Sequence, residues 1–595
     1  MPNMDKKDYT LIIAHDREAI HLDTPLILLG KWCDIDNFSD ECKGEVIFAN
    51  NPLADNNERE KHYYKIQKIS ERLLSRMGKR LNTYHKVSFP NKVWKMLLGN
   101  YVLMFSHLTY VKWLLLQNAF KINNTKVVRV PMFDYQDDFY PKNYKHFSCL
   151  LNSENFYEYL TKEIILKMDF NVNIEEFKKN HFTQEYYSVN IPSFKKRLYE
   201  KIIVAGKWIY KSGINPKILF FNSSLPTDVE LKYNLQLGQI PFIHPFEDLK
   251  IKETRDHELR TKLKSNNYSG FEKILYELLW DFTPISYLES FSSNYNQISE
   301  QTKKFNPNTI VTSMVGIMES EPFLLYLASK GENKPTVISL QHGGRYGTAK
   351  YNNVEEHEIE VSDYFFSWGW KTKNNVIPSY MHKQLGSKKK NAKSGSYLIF
   401  LPYGTHLHLK RIACSIWPTG MEKFIDDQKI FFNNIEPKIK NKLRIRSYVH
   451  AWQTKKRLSD HVSDFHESSK TYMQDLNRAK IAVHTCCSTT LLETLAFDIP
   501  TIAFFDKDSD RISDHASKYF EMLTDVKILH YDPLSAANFI NSIWDDVETW
   551  WYSEDVKKAK RSFKKEFANL NENSEDEFLS QLIRIYKIQD NNDYS

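Results

Sequence analysis

A strand, a tight loop, a helix and a second strand follow one another without interruption from Ala479 to Asp506, AKIAVHTCCSTTLLETLAFDIPTIAFFD. Ile481, Ala482 and Val483 form a short apolar run suited to a strand buried on both faces. His484 to Ser488 are small or polar, and Ser488-Thr489-Thr490 stands where a helix would begin. Leu491, Leu492, Leu495 and Ala496 recur at helical spacing, and Ile499-Pro500 stops the helix. Thr501 to Phe505 is apolar again. A unit of this kind is at home only in a parallel sheet covered by helices, which sets the class as α/β.

The geometry of that unit suggests a chemistry. A helix N-terminus presents unpaired backbone N–H groups and a partial positive charge, so it attracts phosphate. Ser and Thr hydroxyls at the tip add donors without bulk. Glu493 lies about one turn inside the helix, where a carboxylate can accept hydrogen bonds from ribose hydroxyls. The same letters also suit an N-capped helix in an ordinary α/β domain, with Glu493 solvated.

Composition narrows the field. A chain of 595 residues, 42% hydrophobic, can bury more than one core, so two domains or more are expected. Its net charge of +7 comes from 81 basic and 74 acidic residues, too even a balance for a dedicated nucleic-acid binder. A basic patch facing an anionic membrane or a sugar nucleotide remains compatible with it. The six cysteines are scattered without metal-ligand spacing, which fits a reducing cytoplasm. MPNMDKKDY leads straight into a strand-like segment, so no secretory signal is expected there. The most apolar stretch, Met96 to Leu116, carries Asn100, His107 and Lys112 and reads as a buried helix rather than a membrane span.

Along the N-terminal region, Tyr9–Ala14, Pro25–Leu29, Val127–Phe133 and Lys217–Asn222 are strand candidates. His62–Tyr84, Val93–Gln117 and Ser193–Lys211 are helix candidates, and residues 152–190 show no clear period and read as helical insertion. From Phe271 short αβ units take over, with strands at Asn308–Ser313 and Pro335–Leu340. The second of these runs into Gln341-His342-Gly343-Gly344-Arg345-Tyr346-Gly347. A glycine-rich loop beyond the carboxyl end of a parallel strand is where open sheets hold ligands. His342 and Arg345 supply a titratable and a cationic group there; a tight turn with a structural histidine is the plainer alternative. EEHEIEVSDYFFSWGW follows, with a strand near Tyr364–Ser367 and with Glu355, Glu358 and Asp363 as acids able to act as bases or as partners of His342. SKKKNAKSGS, residues 387–396, is the clearest linker.

Beyond the linker, Tyr397–Pro402 opens a second domain, and GTHLHLKR brings His406, His408, Lys410 and Arg411 to a sheet edge without a third metal ligand. Leu443–Val449 is a further strand; His450, Trp452 and the basic run Lys455-Lys456-Arg457 follow it. Asp506-Lys507-Asp508 has the letters of a metal-binding carboxylate pair but reads as an ordinary loop. VKILHYD supplies the last strand, and Trp544–Tyr586 is helical, charged and long enough to run back across the first domain.

QHGGRYG, EHEIEVSDYFFSWGW and HTCCSTTLLETLAFDIPTIAFFD, with LLGKWC and YVLMFSHLTYVKW nearer the N-terminus, together resemble a family of transferases encoded in bacterial surface-carbohydrate (lipopolysaccharide O-antigen and capsule) gene clusters. The likeness spans nearly the whole chain. It implies a GT-B-like α/β fold, with two Rossmann-like domains facing a cleft and large helical insertions in the N-terminal one. The expected division is an acceptor-side domain at 1–386, a linker at 387–396, a nucleotide-sugar domain at 397–550 and a helical segment at 551–595. The implied reaction is glycosyl transfer from a nucleotide-sugar donor, a CMP-linked acidic sugar foremost, to a glycan or glycolipid acceptor. No cofactor and no metal are expected, and no nucleic acid. The location implied is cytoplasmic, with peripheral contact to the inner membrane compatible. By position, His484, Ser488, Thr489, Thr490 and Glu493 would face the donor, with Gly343, Gly344 and Arg345 on the opposite wall. His342 would be the catalytic base, because an imidazole titrates near neutral pH, and Glu358 and Asp363 are its reserves. Competing expectations are a polyol-phosphate transferase, a nucleotide-sugar epimerase and a non-catalytic glycan-assembly protein.

Overall fold

The computed structural model describes residues 6–592 apart from 16–19, 135–138, 178–214, 242–243, 247, 250, 266, 388–394, 405–406, 409–410, 414–419, 447–451, 463–471 and 508–510. The expected helix at Ser193–Lys211, most of the 387–396 linker, His406, Lys410, His450 and Asp508 lie outside the described residues.

Three five-stranded sheets, parallel throughout, form the scaffold. The first holds β1 (Lys7–Ile12), β2 (Leu26–Leu28), β3 (Val46–Phe48), β4 (Thr125–Phe133) and β5 (Asn173–Phe177) in the order β3-β2-β1-β4-β5. The second holds β6 (Ile218–Phe220), β7 (Thr309–Ser313), β8 (Thr336–Leu340), β9 (Tyr364–Ser367) and β10 (Val376–Pro378), in sequence order across the sheet. The third holds β11 (Tyr397–Leu401), β12 (Leu443–Ile445), β13 (Ala479–His484), β14 (Thr501–Phe504) and β15 (Leu529–His530) in the order β12-β11-β13-β14-β15. Every residue of β7 and β8 is buried, as central parallel strands covered on both faces require.

The α/β class expected from the sequence is thus what the chain adopts, with one difference from the expected layout. Residues 1–386 were expected to form one Rossmann-like domain, and they carry two sheets. The first is split in sequence by a long helical hairpin, α1 (Asn56–His85) and α2 (Asn91–Ala119), inserted between β3 and β4. The Asp55 side chain caps α1, accepting hydrogen bonds from the Asn57 and Glu58 amides at 2.9 Å each. α2 is buried nearly all round, Asn100, His107 and Lys112 included, because α1 and several later helices enclose it. Among the described residues no helix is long and apolar enough to cross a membrane.

The described part of the expected helical insertion, residues 152–177, also differs from expectation: α3 (Glu154–Lys167) is followed by β5, an edge strand; residues 178–190 lie outside the described residues. Three further helices position the site: α4 (Asn353–Val361), α5 (Thr489–Ala496) and α6 (Glu554–Phe567). The last helix, α7 (Ser574–Asn592), leaves the third sheet and returns to the second, as the sequence suggested. Asn569 clamps the crossing: its amide donates to the Trp368 carbonyl at 3.0 Å and its carbonyl accepts from Met381 at 2.9 Å. Phe578, fully buried, stacks on Tyr233 with ring centroids 6.2 Å apart and meets Phe366 edge-on at 5.8 Å.

Phe578→Ala removes that anchor and is expected to cost about 3–5 kcal/mol of docking energy. Hydrogen exchange should accelerate across residues 574–588 while β8 and β13 stay protected. Unchanged exchange there would mean that the helix is held by something else.

Candidate functional site

The loop after β8 and the tip of α5 after β13 meet at the carboxyl edges of the second and third sheets. The Gly344 amide donates to the Thr489 hydroxyl at 2.8 Å. A methyl group on Gly344 would stand 2.5 Å from the Thr489 nitrogen and 2.6 Å from the Ser488 carbonyl carbon, so only glycine lets the backbones approach this closely. Farther along, the two units are stitched by backbone pairing: the Lys350 amide to the Arg511 carbonyl (3.0 Å) and the Ser513 amide to the Thr348 carbonyl (2.8 Å).

Gln341 fixes where the glycine loop leaves its strand. Its side-chain oxygen accepts from the Trp368 amide and the Trp370 indole, both at 2.9 Å, and its amide nitrogen donates to the Gly343 carbonyl at 2.9 Å. All three partners of this buried amide are inside the protein, which makes it a rigid hinge pin.

His342 follows. Its Nδ1 lies 2.9 Å from the Tyr346 hydroxyl and 3.3 Å from Glu358 Oε1, while the same hydroxyl donates to Glu358 Oε1 at 2.7 Å. Having given its one proton to Glu358, the tyrosine oxygen can only accept from the imidazole. The carboxylate also only accepts. Nδ1 must therefore carry the ring proton, and Nε2 keeps a lone pair. Glu358 is wholly buried and comes from α4, whereas the His342 side chain is a quarter exposed. The arrangement is a base, an orienting hydroxyl and a buried carboxylate, able to accept a proton and stabilise the resulting imidazolium.

Around this core sit Glu319, which sequence reasoning did not nominate, and Glu355, which it did. Glu319 ends a π-helical turn, Val315–Glu319, that follows β7. Burial raises its carboxyl pKa, and the charges of His342 and Lys145 oppose that rise. Glu355 accepts from the Gly347 amide at 2.9 Å, and burial, with Glu356 and Glu358 nearby, pushes its carboxyl up to about 8. Nothing in the local pattern of MVGIMESE or QHGGRYG distinguishes Glu319 or Gln341 from their neighbours; only the sheet brings them in.

At the helix tip, Ser488, Thr489 and Thr490 are half-buried. The Ser488 and Thr490 hydroxyls lie 2.7 Å apart, and Thr490 is 3.3 Å from His484 Nδ1. His484 itself is fully enclosed: Nε2 meets the Thr494 hydroxyl at 3.0 Å, and burial pulls the ring down to about 3, so it is neutral. It orients Thr490 from beneath. Glu493, 8% exposed, accepts from Gln384 at 2.7 Å beside Tyr472 and Lys383, and burial raises its pKa. Arg345 holds a left-handed backbone (φ 67°) and points its guanidinium toward the Ala413 carbonyl at 3.5 Å.

Two nominated groups stand elsewhere. Asp363 precedes β9 and therefore lies at the amino edge of the sheet, opposite His342; it pairs with Lys334 at 2.5 Å and accepts from the Val337 amide at 2.9 Å. It lines an open cavity of about 610 Å³ with Lys92, Lys373 and Glu360, away from the loop chemistry. His408 is buried against Tyr157 and Trp32. Among the described residues no cluster of three metal-ligating side chains occurs.

No curated protein sequence matches the chain. Among solved structures it is similar to MurG of Acinetobacter baumannii, with a TM-score of 0.30 and 9% identity over 62% of this chain and 99% of that one. It is also similar to a variant of the wall teichoic acid polymerase TagF soaked with CDPG, with a TM-score of 0.31 and 10% identity over 68% of this chain and 99% of that one. Scores this low leave the site to be read from its own geometry. A family model, by contrast, matches residues 9–583, taking in all three sheets and both segments of the site. The chain belongs to the LIC12162 family of transferases.

Proposed function

We propose that this transferase moves a glycosyl group from a nucleotide-activated sugar to a hydroxyl of a glycan or glycolipid acceptor. The observation that carries the reading is the meeting of the α5 tip with the glycine loop within one hydrogen bond, next to a histidine whose free Nε2 faces away from its buried carboxylate. A helix tip with three hydroxyls suits the leaving phosphate. Thr490 and Ser488 face it, Glu493 takes ribose hydroxyls, and Arg345 adds positive charge from the opposite wall.

In the proposed step the acceptor hydroxyl forms a bond to the anomeric carbon as the bond from that carbon to the phosphate oxygen breaks. The nucleotide leaves with the electron pair. The hydroxyl proton passes to His342 Nε2, and Glu358, through Nδ1 and Tyr346, stabilises the imidazolium. Asp363, at the far edge of the sheet, takes no part, and His484 serves by orienting Thr490. CMP-linked acidic sugars are the first donors to try, and the reaction is placed in the cytoplasm beside the inner membrane.

Incubation of the purified protein with a panel of sugar nucleotides, with and without glycan acceptor, tests the class: nucleotide release that depends on acceptor is expected. Release of a sugar phosphate, or conversion of the donor alone, would replace glycosyl transfer by another reaction.

His342→Ala is expected to lower turnover by about 10²–10⁴-fold, with donor affinity within about twofold of the parent. Glu358→Gln should lower turnover in the same direction and leave donor affinity alone. Parallel losses of affinity in both variants would make the pair a structural support. Thr490→Val and Glu493→Gln should each weaken nucleotide binding about tenfold or more, the value of a hydrogen bond to a charged or buried partner, as read by calorimetry; unaltered affinity removes α5 from the donor site.

A further inference from the structure

The tip of α5 faces the glycine loop; its other end lies against α6, and an open cavity of about 440 Å³ sits there, a size suited to a small ligand. Five cationic side chains of α6 line it: Lys557, Lys560, Arg561, Lys564 and Lys565. Among the described residues Asp498 is the one carboxylate in its wall. α5 has eight residues and is therefore about 12 Å long, so this cavity and the hydroxyl-bearing tip stand at opposite ends of one helix. Asn569 and Leu570, where the chain crosses from the third sheet back to the second, complete the lining with Tyr552.

Three of the five cations have partners that explain them. Lys560, 5% exposed, pairs with Asp498 at 2.7 Å, donates to the Trp551 carbonyl at 3.1 Å and lies 3.8 Å from the centre of the Trp551 ring. Lys564 donates to the carbonyl of Ala496, the last residue of α5, at 3.0 Å. A helix end carries unpaired carbonyls and partial negative charge, and these two lysines answer both. Lys557 pairs with Glu554 at 2.8 Å. Arg561 and Lys565 are different: both are exposed, and among the described residues neither forms an ion pair. Glu554 feels Arg561 only as a weak second charge after Lys557. Glu566, the next acid along α6, is turned away to His515 and Tyr519, at 2.6 and 3.3 Å. Lys557, Arg561 and Lys565 thus follow at four-residue spacing on one face, where like charges repel and weaken a helix. On a convex face water would screen them. Here they border a hollow with protein walls, which concentrates their positive potential.

We propose that the cavity between α6 and the carboxyl end of α5 binds a phosphate-bearing anion, held by Arg561 and Lys565 with Lys557 at its margin. A guanidinium matches two phosphate oxygens at once, and a lysine adds a compact charge beside it. A diphosphate, with charge spread over both groups, suits the row of cations better than a single carboxylate does. It is carried either by a soluble phosphate ester or by a lipid headgroup; the recognising chemistry is the same. The site is separate from the α5 tip and does not rest on the glycosyl-transfer reading. Its occupant would touch Asn569 and Leu570, the crossing that ties the third sheet to the second.

Two probes test the site on the full chain: inorganic pyrophosphate by calorimetry, and phosphatidylglycerol against phosphatidylcholine vesicles by co-sedimentation. Binding of pyrophosphate marks a soluble phosphate ligand; binding of the anionic vesicles alone marks a lipid headgroup. The double variant Arg561→Ala with Lys565→Ala should weaken whichever probe binds by about tenfold or more, the value of charge-assisted hydrogen bonds. Its melting temperature should not fall, because both side chains are exposed and make no ion pair. Thr490→Val, at the other end of α5, should leave the same binding unchanged. The bound probe should also slow hydrogen exchange at residues 565–571, a reading that needs no variant. The proposal is overturned if neither probe binds, if binding survives in the double variant, or if it is lost with Thr490→Val instead. Failure of sugar nucleotides to bind the parent would overturn the donor site and leave this one standing.

Discussion

The hydrogen bond from the Gly344 amide to the Thr489 hydroxyl is the contact on which the rest of the arrangement depends. It joins a loop of the second sheet to a helix of the third at the edge where both direct their strand ends. The requirement it imposes is steric before it is chemical: any side chain at 344 would collide with the backbone of residues 488–489. Once the two segments touch, the hydroxyls of the helix tip and the imidazole of the loop fall within one substrate's reach.

Burial then decides what each group does. Glu358 is sealed from water and answers to a tyrosine and a histidine, which fixes the imidazole tautomer. His484 is sealed as well, but both its nitrogens meet threonine hydroxyls, so it holds a helix tip in place. The two histidines stand at or just past strand ends, His484 closing β13 and His342 two residues beyond β8, and look alike in sequence. What separates them is whether a ring nitrogen is left over.

The unit from β13 to β14 was legible because its strands are continuous apolar runs and its helix has a clean period; QHGG was legible because glycines follow a strand. The third sheet's edge strand β12 was read as longer than its three residues. β3 and β10 are only three residues long, and β5 carries two glutamates, NIEEF, so neither period nor composition marks them. That is why two sheets in the N-terminal half were read as one. In the candidate site, His342, Glu358 and the Ser/Thr tip come together as the motifs suggested, whereas Asp363, five residues from Glu358, falls at the opposite edge because it lies beyond the end of α4 and just before β9 begins. Gln341 and Glu319 gain their roles entirely from tertiary neighbours.

The return of α7 to the second sheet has a mechanical consequence. The second and third sheets are joined covalently twice, once between His382–Gln384 and β11 and again at Asn569 between α6 and α7. Two tethers leave a pair of bodies one easy freedom, swinging about the line through both attachment points, and resist sliding or twisting. Any opening that admits a substrate between the glycine loop and the α5 tip must therefore follow a single arc, and the Gly344–Thr489 bond acts as its latch.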